Sequence, residues 1–186
     1  MPSIHLRNPR TDARCDIELG HGLVYTVEAA TAGGLEALLD QLLRQPGAQV
    51  AHGVGGMVGN INVLENIALP AVFHGLWRAR EFDSKIIEAF AACGFDAEQA
   101  ETLCRKRPGE LGPFEQRLAG FVRGLLLRPE VLVYYRFLEG LTRSEMARAA
   151  ALDPVYRAWN PAGTSVYLFL SDMPDLQLEC GRRYVT

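Results

Sequence analysis

The feature that most limits the folds open to this chain is an alternation between two hydrophobic periods. The runs Leu23-Val24-Tyr25-Thr26-Val27, Val131 to Tyr134 and Ser165-Val166-Tyr167-Leu168-Phe169-Leu170 are short, β-branched or aromatic, and apolar on successive residues. Such runs predict strands, and the first reads as buried on both faces. Between them lie segments that are apolar at helical spacing. Leu35, Leu38, Leu39, Leu42 and Leu43 form one stripe, which predicts a helix from about Leu35 to Arg44 that Gln45-Pro46-Gly47 ends. Phe114, Leu118, Phe121, Val122, Leu125 and Leu126 form another, on a long helix that crosses the core. Strands alternating with helices predict an α/β fold with a mainly parallel sheet flanked by helices.

Weaker local signals fill in the rest. Ile4-His5-Leu6 and Cys15-Asp16-Ile17-Glu18-Leu19 alternate apolar and polar residues and read as two strands, and Arg183-Tyr184-Val185 as a short last one. Gly53 to Gly59 holds four glycines and reads as loop. Val63 to Leu69 begins a helix that Pro70 enters or bends. Asp83 is expected to cap a helix carrying Ile86, Ile87 and Phe90, stopped by Gly94. Asp96 with Gln99, and Thr142 with Glu145, make capping boxes for helices through Leu103 and through about Ala151. Residues from about 62 to 110 therefore read as a small helical subdomain inside one domain spanning 1–186.

Composition narrows the function classes. With 186 residues, 48% hydrophobic and 22% charged, the chain suits a single globular domain with a real core. A net charge of -3 gives no field for nucleic acid, and Arg105-Lys106-Arg107 and Arg182-Arg183 read as solvated surface. Cys15, Cys93, Cys104 and Cys180 form no CxxC pair, and His5, His21, His52 and His74 show no ligand spacing, so reduced thiols and no metal site are expected. No signal-like hydrophobic region follows Met1, and no apolar run reaches about 18 residues. The expectation is a cytoplasmic protein that meets a membrane only through a partner.

The order of strand, small-residue loop, helix, helical middle, long helix, strand, helix and strand resembles the ATPase domain of ABC transporters. Val63-Leu64-Glu65-Asn66-Ile67-Ala68-Leu69-Pro70 is similar to the segment after the family's Q-loop, and Leu125-Leu126-Leu127-Arg128-Pro129 to its link from signature helix to Walker B strand. The helix after the Val-Leu-Glu-Asn run, with Phe137-Leu138-Glu139-Gly140-Leu141-Thr142, looks closest to the ATPases of MCE-type lipid-transport systems. The resemblance implies a P-loop NTPase-like fold with a reduced β-subdomain, the shortening falling between about Arg44 and Ala51.

At each chemical position of that resemblance the residue type is wrong. A P-loop needs GxxxxGK[ST], so that backbone N–H groups, a Lys and a hydroxyl close on phosphates and magnesium. The matching stretch runs from Ala29 through Gly33 and Gly34 to Leu35 and Glu36, with Leu35 in place of the Lys and Glu36 in place of the hydroxyl residue. The resemblance puts the Q-loop glutamine at Gly53. It puts the signature loop at Leu111-Gly112-Pro113-Phe114-Glu115, the Walker B Asp and catalytic Glu at Tyr135 and Arg136, the D-loop Asp at Thr142, and the switch His at Ser171. Phosphoryl transfer rests on positioning and electrostatics, and these losses remove most of the electrostatics. No catalytic residue, nucleotide or other cofactor is therefore expected, and neither is a metal. Two readings of Arg136 stand side by side: a surface ion pair at the strand end, or neutralisation of Glu36 across the old nucleotide cleft. The resemblance implies a subunit that docks on an ABC permease, on an active ABC ATPase, or on both, as a homo- or heterodimer. The alternative is a non-hydrolysing half that completes a partner's ATP site.

Overall fold

Six residues in a row, Val24 to Ala29, are buried, which requires cover on both faces of their strand. In the computed structural model this strand (β3, Val24–Ala29) lies inside a five-stranded sheet that helices flank. The structure describes residues 3–7, 14–53, 56–76, 79–170 and 182–185, with the backbone alone for 3–7, 14–18, 79–80 and 182–185. The other strands of the sheet are β4 (Ala48–His52), β5 (Val131–Tyr135), β6 (Thr164–Leu170) and β7 (Arg182–Val185). Their order is β4-β5-β6-β3-β7, and every pairing is parallel. Two more strands, β1 (Ser3–Arg7) and β2 (Arg14–Glu18), pair antiparallel as a separate two-stranded sheet. The expected α/β architecture is the one observed.

One face of the sheet is covered by α1 (Ala32–Leu43), whose Leu35, Leu38 and Leu42 pack with Val27, Val133, Val166 and Leu168. Each such leucine contributes roughly 1.5–3 kcal/mol through burial. The other face carries α5 (Pro113–Leu126), whose Leu118, Phe121, Val122, Leu125 and Leu126 join the larger core. That core continues into the helical middle, α2 (Val63–Phe73), α3 (Ala79–Ala92) and α4 (Ala97–Arg105), through Ile67, Ile86, Phe90 and Leu103. A short 3-10 turn, Pro108–Glu110, leads into α5, and α6 (Arg143–Ala150) with α7 (Leu152–Trp159) completes the layer.

Three expectations need correction, and one helix was not foreseen. The first helix begins at Ala32 rather than Leu35, because Thr31 caps it. Asp83 does not cap α3 but lies inside it, since Phe82 already belongs to the buried stripe with Ile86 and Phe90. Ala48–His52, expected to carry only a shortening, is an edge strand held by its ladder to β5. The helix opened by Thr142 ends at Ala150, and a second helix, α7, follows without a linker. The two later capping boxes are formed as expected, at Asp96 and at Thr142.

Candidate functional site

The connection from β3 to α1 is the stretch that the resemblance matches to a P-loop. It is only two residues long, Ala30 and Thr31, because β3 runs to Ala29 and α1 starts at Ala32. Thr31 is extended, and its Oγ1 accepts from the Gly34 N–H at 3.1 Å while its carbonyl accepts from the Leu35 N–H at 3.0 Å. A phosphate cradle needs a wider loop whose N–H groups converge unpaired on the ligand. Here the Gly34 and Leu35 donors are already met. Leu35, in the lysine position, is 0% exposed and packed into the sheet core. Glu36, one residue and 100° further round the helix, faces solvent.

At the carboxyl end of the sheet the structure brings the Q-loop and Walker B positions together. His52 and Tyr135 are register partners across β4 and β5. The Gly53 N–H donates to the Tyr135 carbonyl at 2.8 Å. A Cβ on Gly53 would stand 1.9 Å from the Arg136 carbonyl oxygen, so no other residue fits there. Arg136, in the catalytic Glu position, adopts a left-handed φ of 51°, a strain of about 1–3 kcal/mol for a non-glycine residue. Its N–H donates to the Leu168 carbonyl at 2.9 Å. Its Nε pairs with Glu139 Oε2 at 2.6 Å, so the surface ion pair is the reading of Arg136 that holds. The pair with Glu36 is not formed. Glu36 sits on the solvent face of α1, whereas Glu139 lies three residues from Arg136 in the chain.

Behind this strand end the chain is core. Tyr134 stacks on Tyr167 with ring centres 4.3 Å apart and meets Phe137 edge-on at 5.1 Å. Burial pushes both tyrosine hydroxyls well above their ordinary range, helped at Tyr134 by Tyr167 and Asp153 and at Tyr167 by Asp153. Among the described residues neither phenolic oxygen has a hydrogen-bond partner of good geometry, although Tyr134 lies close enough to Asp153, and Tyr167 to Tyr134, to interact.

The signature position is closed in a similar way. Gly112 caps α5, Pro113 is its first residue, and Glu115 Oε2 accepts from the Gly112 N–H at 2.9 Å. Glu115 Oε1 pairs with Lys106 Nζ at 2.8 Å. Burial works to raise the Glu115 pKa, but Lys106 and the Gly112 amide outweigh it and hold the carboxyl below the usual range. Phe114 is buried, with the Arg148 guanidinium 3.9 Å over its ring. Leu111 is buried too. The switch position, Ser171, lies outside the described residues.

Three features carry no mark in the sequence-based expectations. Arg117 is buried and donates to the carbonyls of Pro113 at 3.4 Å, Phe137 at 3.2 Å and Glu139 at 2.7 Å, tying α5 to the segment after β5. Its signal was available: an arginine on the apolar face, three residues after Phe114. Asn66 is buried and makes four hydrogen bonds to the loop before α2. Finally, Leu69, Val72, Phe73 and Leu76 are 53%, 58%, 85% and 48% exposed. They fall at i, i+3, i+4 and i+7, an apolar stripe along and just past the end of α2, facing away from the buried Val63, Ile67 and Ala71.

Among the described residues no cluster of His, Cys, Asp or Glu fits a metal ion, and no helix is long and apolar enough to cross a membrane. No family model matches the chain, and no curated protein sequence matches it. Solved structures do. CbiO1 from Clostridium perfringens, part of the ABC transporter complex CbiONQ, superposes with a TM-score of 0.74 at 13% identity, over 98% of this chain and 83% of that one. The ATP-binding cassette MJ0796, in a dimeric post-hydrolysis state with ADP and Pi, gives 0.63 at 14% identity over 86% and 79%. A metal-chelate type ABC transporter in an inward-facing conformation gives 0.68 at 14% identity over 83% of this chain, which spans 65% of that chain's length. At these identities the likeness is one of fold, and the fold is that of the ABC-transporter ATPase domain.

Proposed function

We propose that this chain is a non-hydrolysing ABC-type subunit that docks on a membrane permease, an active ATPase partner, or both, as a structural or regulatory component. The observation that carries the reading is the two-residue β3–α1 connection, where Thr31 caps Gly34 and Leu35 is core. The Gly34 and Leu35 amides are already taken there, and the position of the cation is filled by a buried leucine. Arg136 and Tyr135 at the end of β5 supply no carboxylate for magnesium or for activating water. Docking draws support from the exposed stripe Leu69, Val72, Phe73 and Leu76, which fits the apolar side of a partner helix. The subunit would then lie at the inner face of the cytoplasmic membrane through that partner. The Val63 to Pro70 and Phe137 to Thr142 runs favour an MCE-type lipid-transport system as the setting.

The alternative, a half that completes a partner's ATP site with its signature face, is less well supported. A γ-phosphate brought to the N-terminus of α5 would meet the Glu115 carboxylate, already bonded to the Gly112 amide. Calorimetric titration with ATP and magnesium tests the main reading: no heat of binding is expected, and micromolar affinity refutes it. Affinity capture from native membranes should recover a permease or an ATPase. If that ATPase keeps its turnover when this chain is stripped away, the alternative fails as well.

A further inference from the structure

Residues 56–62 form a strap between β4 and α2 that is fastened at two points. Arg123 of α5 donates through Nη1 to the Gly56 carbonyl. Asn66 accepts from the Val58 N–H at 2.7 Å and donates to the carbonyls of Val58 at 3.0 Å, Ile61 at 3.3 Å and Asn62 at 2.9 Å. The strap then enters α2 through a capping box between Asn62 and Glu65.

His52, the last residue of β4, sits at the root of this arrangement. A Cβ on Gly56 would lie 2.9 Å from His52 Cδ2 and 3.3 Å from Arg123 Nη2. The imidazole and the guanidinium therefore flank the same glycine. The ring of Tyr135 on β5 lies nearly perpendicular to that of His52, with centroids 5.9 Å apart. The charged and titratable groups facing the imidazole are thus Arg123 from α5 and Tyr135 from β5. The strap side contributes Gly56, and no carboxylate among the described residues offsets the guanidinium.

We propose that His52 and Arg123 make the strap a proton-sensitive clamp, closed when the imidazole is neutral and released when it is protonated. A second cation beside a partly buried guanidinium is repelled, and it loses hydration with no counter-charge to replace it. Burial first, and Arg123 second, lower the His52 pKa from the ordinary histidine value. Release returns His52 to water and to a pKa near 6.5. The closed form therefore binds fewer protons than the open one. Its stability is complete above about pH 6.5 and is lost as the pH falls from there through the lower pKa of the closed form. The switch lies wholly within this chain and needs no docked partner. Any ligand of α2 would sense it through the Asn62 capping box.

The test uses the full chain. Amide exchange at Val58, corrected for intrinsic rates, is followed from about pH 7.5 to 5, with NMR titration of the His52 ring in parallel. Wild type should lose Val58 protection on acidification, His52→Gln should keep it, and His52 should titrate below the ordinary histidine value. Equal pH dependence in both proteins, or titration at or above the ordinary value, overturns the clamp. Arg123→Gln separates the two groups. The His52 pKa should rise in that variant, and an unmoved pKa removes Arg123 from the switch.

Discussion

Restoring the missing lysine is the most direct challenge to a closed phosphate site. In a P-loop that had merely lost its cation, Leu35→Lys would place an ammonium in an open cleft. In this structure Leu35 is 0% exposed, on the face of α1 that packs against the sheet with Leu38, Leu42 and Val27. Removing the leucine forfeits roughly 1.5–3 kcal/mol of burial. The incoming ammonium must be desolvated, deprotonated or snorkelled out, and a buried lysine pKa falls by up to about 3–5 units, each worth about 1.4 kcal/mol. Allowing for partial escape of the long side chain, a total loss of about 4–6 kcal/mol is expected. That is a large part of the roughly 5–15 kcal/mol that holds an ordinary domain together. Glu36→Ser, on the solvent side, should change stability by no more than about 0.5 kcal/mol. Urea unfolding of the single variants and of Leu35→Lys/Glu36→Ser gives the stabilities, and calorimetry with ATP and magnesium gives the binding. If the double variant is as stable as wild type and binds ATP, then Leu35 faces a usable cleft and the closed site is refuted.

Other parts of the structure give shorter tests. Tyr167→Phe removes a buried hydroxyl that has no partner of good geometry among the described residues and should raise unfolding stability by about 1 kcal/mol, read in urea; a loss of that size would mean that the hydroxyl is bonded, with Tyr134 the nearest candidate. Gly53→Ala forces a Cβ onto the Arg136 carbonyl and should cost about 2–4 kcal/mol or leave the protein insoluble, measured by thermal melting. Phe73→Asp should leave the melting temperature unchanged but abolish capture of the proposed permease or ATPase partner, since Phe73 is 85% exposed. The Glu115 pKa is lowered in the folded chain, so its contribution to stability is present above the ordinary carboxylate range and lost as the pH falls through the folded value. Glu115→Gln should therefore flatten the stability-versus-pH curve at the acid end.

The sequence showed the sheet where its strands are buried on both faces, because six successive buried positions from Val24 to Ala29 leave little choice of structure. It hid β4, since Ala48-Gln49-Val50-Ala51-His52 carries one β-branched residue. That segment is a strand only because β5 pairs with it and α5 covers it, a property of the tertiary contact. It hid α7 because Ala151 ends one helix and begins the next, with Pro154 tolerated in the first turn. The site positions were legible as a series of substitutions, and the structure did bring Gly53, Tyr135 and Arg136 together. What the residues do there was not legible. Of the two readings of Arg136, the surface ion pair is the one formed, with Glu139, because burial of Leu35 against the sheet turns the next residue of α1, Glu36, outward.

The substitutions share a physical consequence that no single one reveals. An active ATPase must keep amide donors and charges poised and unpaired until its ligand arrives, and such poised groups reduce the stability of the empty protein. Here each of those places is satisfied from within the chain: Thr31 meets the Gly34 amide, Glu115 meets the Gly112 amide and Lys106, and Glu139 meets Arg136. The neutral Thr31 bond adds about 1 kcal/mol and a carboxylate bond such as that of Glu115 to the Gly112 amide about 1.5–3 kcal/mol, and phosphate would have to displace them before binding. The backbone around them still follows the path that chemistry would need, with Gly53 pressed on the Arg136 carbonyl and Arg136 held at a strained φ. On the proposed function, a frame kept under strain while its side chains pair with one another is freed from the demands of a ligand but not from those of shape. Shape is what a docking partner reads, and the least satisfied surface of the described chain is the apolar stripe from Leu69 to Leu76.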